Sequence, residues 1–206
     1  NNTIISIKYC LKRRNNKGGL FVQREERKKR YTKDFTRAFT ENGIDKTSIK
    51  KLAGAANINE ASIYQYFKNK DDIVVECVRQ LFSMVEGELS QVVTDASRPL
   101  DERLAFVLRY SESESEHCAF VCQVLATPLY SRMCRPIIDD FINWMYTQGE
   151  SISRESGIDA GTVMPLMFLY CSAVSSGRVL SSRRTLAVQA DFLTGIVKKL
   201  WKGGTG

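Results

Sequence analysis

The sequence predicts an all-α protein, and three observations carry that prediction. Apolar residues recur with helical spacing through most of the chain, no stretch alternates as a strand does, and Gly, Pro or Asn stand where the helical patterns break. The 206 residues are 43% hydrophobic and 26% charged, a balance that excludes collagenous, low-complexity and disordered classes.

Residues 1–22 mix Lys8, Lys12, Arg13, Arg14 and Lys17 with Asn15, Asn16, Gly18 and Gly19 without sustained periodicity, and read as a basic flexible arm. From about Gln23 to Asn42, Tyr31, Phe35, Ala38 and Phe39 line one helical face, and Gly43 stops the helix. Thr47 or Ser48 caps a second helix whose apolar residues are Ile49, Leu52, Ala53 and Ala56. It ends near Asn57, since Asn tolerates a left-handed backbone better than other non-Gly residues. Asn59 then caps a third helix from Glu60 to Phe67. Two short helices joined by a three-residue turn make a helix-turn-helix over about 48–67, inside a domain spanning 23–69.

Asn69 caps a longer helix with Asp71 and Asp72 in its first turn, where carboxylates favour the helix dipole. Val74, Val78, Leu81, Val85, Leu89 and Val92 carry its stripe to about Asp95, and Ser97-Arg98-Pro99 breaks it. Further helices are expected near 100–113, 116–127, 133–149, 162–180 and 185–201, punctuated by Pro128, Gly149, Gly157, Gly161 and Ser181-Ser182. Together they make a second, helical domain over 70–206.

Charge divides the chain at the same place. Residues 1–70 hold 17 Lys and Arg against 6 Asp and Glu, whereas residues 71–206 hold 13 against 17. A basic head on a mildly acidic body suits a polyanion partner. Enzyme chemistry is disfavoured, because His117 is the one histidine available for acid-base work near neutral pH. The six cysteines, at 10, 77, 118, 122, 134 and 171, form no C-x-x-C pair, which fits reduced thiols in a cytoplasm. His117, Cys118 and Cys122, with Cys134, have spacing that metal ligands could use. Their neighbours Phe120, Val121, Val124 and Leu125 instead read the cysteines as small core residues, so no metal and no cofactor is expected. No secretory signal is legible, and the longest apolar stretch, Val163 to Val174, is too short to span a bilayer.

With Ile63 facing the core, a step of about 100° per residue puts Phe67 on the same side and turns Ala61, Tyr64, Gln65 and Lys68 outward. Such a face fits a major groove: Gln65 can read adenine, Ala61 can touch a thymine methyl, and Lys68 can meet guanine or phosphate.

The run from Phe35 to Ile73, which includes Ser62-Ile-Tyr-Gln-Tyr-Phe-Lys-Asn-Lys70, lies within a stretch of some 45 to 50 residues that resembles the tetracycline-repressor (TetR) family of bacterial transcriptional regulators. Asn57 stands where that family usually has Gly, and Thr32 and Thr36 replace commonly apolar positions of helix one. The resemblance implies that Tyr64, Tyr66 and Lys70 hold DNA backbone, as do Thr47, Ser48 and Lys50 at the start of the second helix. It also implies an effector pocket in the body, where aromatic and sulfur side chains accumulate. Tyr110, Phe120, Phe141, Trp144, Met145, Phe168 and Cys171 are its expected lining, suited to an apolar or flat aromatic ligand. Leu186, Leu193, Ile196, Val197 and Leu200 give the last helix an apolar stripe, which the resemblance assigns to a four-helix dimer interface.

The resulting expectation is a bacterial, cytoplasmic, homodimeric regulator, a repressor more than an activator. Its partners would be a palindromic DNA operator and a small-molecule effector, with no membrane. A ligand-independent DNA-binding protein is the nearer alternative, and an all-α enzyme or small-molecule carrier the more distant one.

Overall fold

The computed structural model describes residues 2–95, 97–113, 115–159, 161–162, 165, 195 and 199, of which residues 2–21 are described as backbone. Seven helices and no strand occur among them: α1 (Asn2–Asn42), α2 (Ile49–Ala55), α3 (Glu60–Tyr64), α4 (Lys70–Val93), α5 (Leu100–Ser113), α6 (Ser115–Ala126) and α7 (Pro128–Ser156). The helices expected over 162–180 and 185–201 lie outside the described residues.

The helix ends are set by the residues the sequence offered for them. Gly43 has φ +83° and its N–H donates to the Phe39 carbonyl at 2.9 Å, closing α1. Asn57, at φ +52°, donates to Gly54 O while Ile58 N–H donates to Ala53 O at 2.9 Å; the paired bonds close α2 in a Schellman turn. Ser48, Asn59 and Asn69 are N-caps, their side chains accepting from Lys51, Ser62 and Asp72 N–H.

Four boundaries differ from expectation. α1 starts at Asn2 instead of Gln23, so residues 2–22 of the expected flexible arm are helical. The chain has no Pro before Pro99, and lack of an apolar stripe bears on packing more than on winding. α3 is α-helical to Tyr64, and the tighter Tyr66 N–H to Ile63 O bond carries the coil on to Phe67. α7 starts at Pro128, where a missing N–H costs nothing, rather than at 133. Gly149, expected to punctuate, sits inside α7, as does Pro136; the helix ends at Gly157, φ +71°.

One core runs through the junction of head and body. Phe35, Phe39, Leu52, Ile63, Ile73 and Val74 share it with Phe120, Val124, Tyr130 and Cys134. The expected division at residue 69 is therefore a change of element and not a gap in packing. Thr32 and Thr36 are buried within it, and their hydroxyls donate to Lys29 O and Thr32 O at 2.8 and 2.9 Å. Bonding back one helical turn lets a hydroxyl occupy an apolar position without an unmet donor. A smaller cluster of Val93, Leu100 and Ile152 lies at the far end of α4. There the buried Arg103 donates to Val93 O at 2.6 Å and pairs with Glu155, tying α5 to the ends of α4 and α7.

Candidate nucleic-acid interface

The third helix is seated from behind. Ile63 and Phe67 are 1% and 2% exposed, and the Phe67 ring meets Phe35 edge-on at 5.8 Å. Burying those two side chains fixes the rotation of α3, and Ala61, Tyr64, Gln65 and Lys68 are exposed as the periodicity requires. Tyr64 is 56% exposed, too open for a packing role. At the start of α2, Ser48 and Lys50 are also exposed.

Three expected contacts sit differently. Thr47 is fully buried and its hydroxyl donates to Gly43 O at 2.7 Å, so its side chain secures the α1–α2 turn instead of facing a phosphate. Tyr66 is half-buried against Tyr31, edge to face at 5.4 Å. Lys70 donates from Nζ to Ile44 O at 2.9 Å, clipping the same turn to α4; an ammonium with three donors retains capacity for a phosphate.

Arg24 is a residue the sequence reading missed. Its Nη2 donates to Gln65 O at 2.8 Å and its guanidinium lies 5.7 Å from the Tyr66 ring centroid, bracing the end of α3. Lys28, one turn later, pairs with Glu76 at 3.1 Å and lies 5.6 Å from the Phe67 ring centroid. A basic residue at i and i+4 on a helix gives no sign in sequence of which aromatic it will cover.

Head and body are linked by side chains that the sequence could not pair. Phe39 and Phe120 stack at 5.9 Å, Ile44 N–H donates to Gln123 Oε1 at 3.0 Å, and Tyr130 Oη donates to Asp71 at 2.9 Å. Phe120, expected in the effector pocket, stacks on Phe39 at the joint between α1 and α6. Tyr110 and Met145 are buried, while Phe141 lies between Phe82 at 4.4 Å and Trp144 at 5.6 Å. An open groove at the α6–α7 corner is lined by Leu125, Pro128, Arg132, Arg135 and Ile138, none of them expected pocket residues. Phe168, Cys171 and the interface residues Leu186, Leu193, Ile196, Val197 and Leu200 lie outside the described residues. Among the described residues no three His, Cys, Asp or Glu are grouped to hold a metal ion, and no helix is long and apolar enough to cross a membrane.

Residues 36–77 match the family model for bacterial regulatory proteins of the tetR family, a span that contains the whole helix-turn-helix. The helix-turn-helix region of the chain is thus similar to that of the tetR family of bacterial regulatory proteins. Its curated relatives include the transcriptional repressor KstR2 of Mycolicibacterium smegmatis, 27% identical over 40% of this chain and 41% of that protein. The transcriptional regulator HbdR of Aromatoleum sp. is 29% identical over 42% of this chain and 38% of its own. The matches thus span about two-fifths of the length of these relatives. A wider likeness joins this chain to the regulator FadR of Bacillus subtilis, solved with stearoyl-CoA: TM-score 0.64 at 17% identity, over 81% of this chain and 95% of that one. At that identity the likeness is one of fold. The relatives and fold neighbours are transcriptional regulators and not enzymes.

Proposed function

We propose that this protein is an effector-responsive repressor of the tetR family that binds a palindromic operator as a homodimer and is released by a small apolar or aromatic ligand. The observation that carries the DNA reading is the outward face of α3, with Ala61, Tyr64, Gln65 and Lys68 exposed and Ile63 and Phe67 locked behind them. Gln65 is the base reader, and Ser48, Lys50, Tyr64 and Lys68 position the head on phosphates. Lys70 contributes charge beside its structural clip. The repressor role is supported by the name of KstR2, and the apolar ligand class by the stearoyl-CoA held by FadR.

Release follows from a shift in population. α4 starts in the head at Lys70 and ends in the body at Val93, and Phe120, Gln123 and Tyr130 join the body to α1 and α4. A ligand that prefers one packing of the body biases the spacing of two heads by its difference in affinity for the two forms, and DNA must weaken the ligand by the same factor.

Selection from a pool of random duplexes tests this reading. The enriched sequences should form an inverted repeat with half-sites about one helical turn apart, or a multiple of it. Gln65→Ala should relax one symmetric position in each half-site, whereas Lys50→Gln should weaken all sequences alike and lower the salt slope by about one phosphate per subunit. A pool in which nothing enriches overturns the proposal.

A further inference from the structure

Most of the Lys and Arg of residues 1–70 precede Tyr31 in sequence. Residues 1–30 hold ten Lys and Arg against Glu25 and Glu26, and residues 1–23 hold five, Lys8, Lys12, Arg13, Arg14 and Lys17, with no Asp or Glu. These residues precede, on the same continuous helix, the point at which α1 touches the reading element. That point is Arg24, whose guanidinium holds Gln65 O and covers Tyr66 at the end of α3. From Arg24 back to Asn2 the helix extends about 33 Å at 1.5 Å per residue, close to one turn of B-DNA.

We propose that residues 2–22 of α1 are a second DNA-binding element, a basic arm that lies along phosphates flanking the half-site read by α3. The inference rests on the reading of α3 as the DNA-contacting helix. A run of cations without a carboxylate neutralises phosphates with no sequence preference and adds released counterions to the binding reaction. Continuity decides the occupant: the arm leaves the head at Gln65 and Tyr66, so a duplex seated on α3 brings its flanking phosphates within reach of the arm. Gly18 and Gly19, the weakest helix formers short of Pro, give the arm a place to bend toward the duplex.

The test uses the 206-residue chain and a variant carrying Lys8→Gln, Lys12→Gln, Arg13→Gln, Arg14→Gln and Lys17→Gln together. Affinity is measured against salt on labelled random-sequence duplexes of about 16 and about 40 base pairs, beside a Lys50→Gln/Lys68→Gln head variant. On the longer duplex the arm variant should bind at least about tenfold more weakly near 0.1 M salt, and its log-log salt slope should fall by up to about 4.5 per subunit, from about 0.9 for each lost phosphate contact. On the shorter duplex it should stay near wild type, and its thermal melt should be unchanged. The head variant should lose affinity on both. A hydroxyl-radical footprint of the wild-type protein, on a duplex enriched from the random pool, should reach about ten base pairs beyond each half-site.

Wild-type affinity and slope for the arm variant on the longer duplex, with the head variant weakened, would overturn the arm and leave the role of α3 intact. Failure of the wild-type protein to bind either duplex would overturn both. An arm variant that loses binding to phosphatidylserine vesicles while keeping its DNA salt slope would also overturn the proposal and assign the arm to a lipid surface.

Discussion

The head and the body are both all-helical and share one core, yet they are held together by different kinds of interaction. In the head, every turn is closed by a bond over a few residues: Ser48 on Lys51, Asn59 on Ser62, Asn57 on Gly54, Thr47 on Gly43. In the body and at its joint with the head, polar contacts join residues far apart in sequence: Gln123 with Ile44, Tyr130 with Asp71, Arg103 with Glu155. Short-range closure gives a rigid reading unit with one geometry. Long-range clasps give joints that a second packing of the body can alter, which is the property a ligand response needs.

The largest test of this contrast is Phe35→Ala. Phe35 is wholly buried and touches both Tyr31 and Phe67, so its truncation should cost about 3–5 kcal/mol and abolish DNA binding together with folding of the head. Urea unfolding and a duplex-binding assay on the same sample check both expectations. A Phe35→Ala protein of undiminished stability would contradict the single shared core.

Arg103→Ala should show the opposite pattern. It leaves Val93 O and Glu155 without their cation at a site remote from α3, and should cost about 2–3 kcal/mol, the worth of hydrogen bonds to a charged group. Affinity for DNA at a temperature below the melt should be retained, and only the melting curve should move. Equal loss of DNA affinity would show that the far end of α4 also sets the geometry of the head.

A third expectation concerns alkaline pH. Burial pushes the Cys77 thiol from 9.0 to about 12 and Cys134 from 9.0 to about 11, while burial and the hydrogen bond to Asp71 raise Tyr130 from 10.0 to about 12. Each group holds its proton more tightly in the folded chain than in the unfolded one. The stabilisation is therefore full below pH 9 and is lost progressively as pH rises from about 9 to about 12. Urea midpoints measured across that range should fall, and Tyr130→Phe should remove the part of the fall that begins near pH 10. A midpoint independent of pH from 8 to 11 would contradict the burial of these thiols.

The smallest effect is that of a single cap. Asn59→Ala removes the acceptor for Ser62 N–H and should cost about 1 kcal/mol. Because it frays the first turn of α3, it should weaken DNA binding more than its effect on the melt suggests. Ser48→Ala, the matching change at α2, should lower stability by a similar amount and perturb sequence preference less.

The elements of the head and the rotation of α3 are legible in the residues themselves. Asn57, Asn59, Asn69 and Gly43 act on their own backbone neighbours, and helical period alone turns Ile63 and Phe67 inward and Tyr64 and Gln65 outward. Backbone closure and periodicity are local, so their signals survive in one dimension. The starts of α1 and α7 lie outside what periodicity shows, because patterning reports which face is buried, not where winding begins. That Thr47 is buried while Ser48 is exposed, that Arg24 braces Gln65 from 41 residues away, and that Phe120 stacks on Phe39 follow from the packed chain alone. Each of those outcomes depends on which helix arrives opposite a side chain. That pairing follows from the packing of the whole chain, and no residue type or spacing encodes it locally.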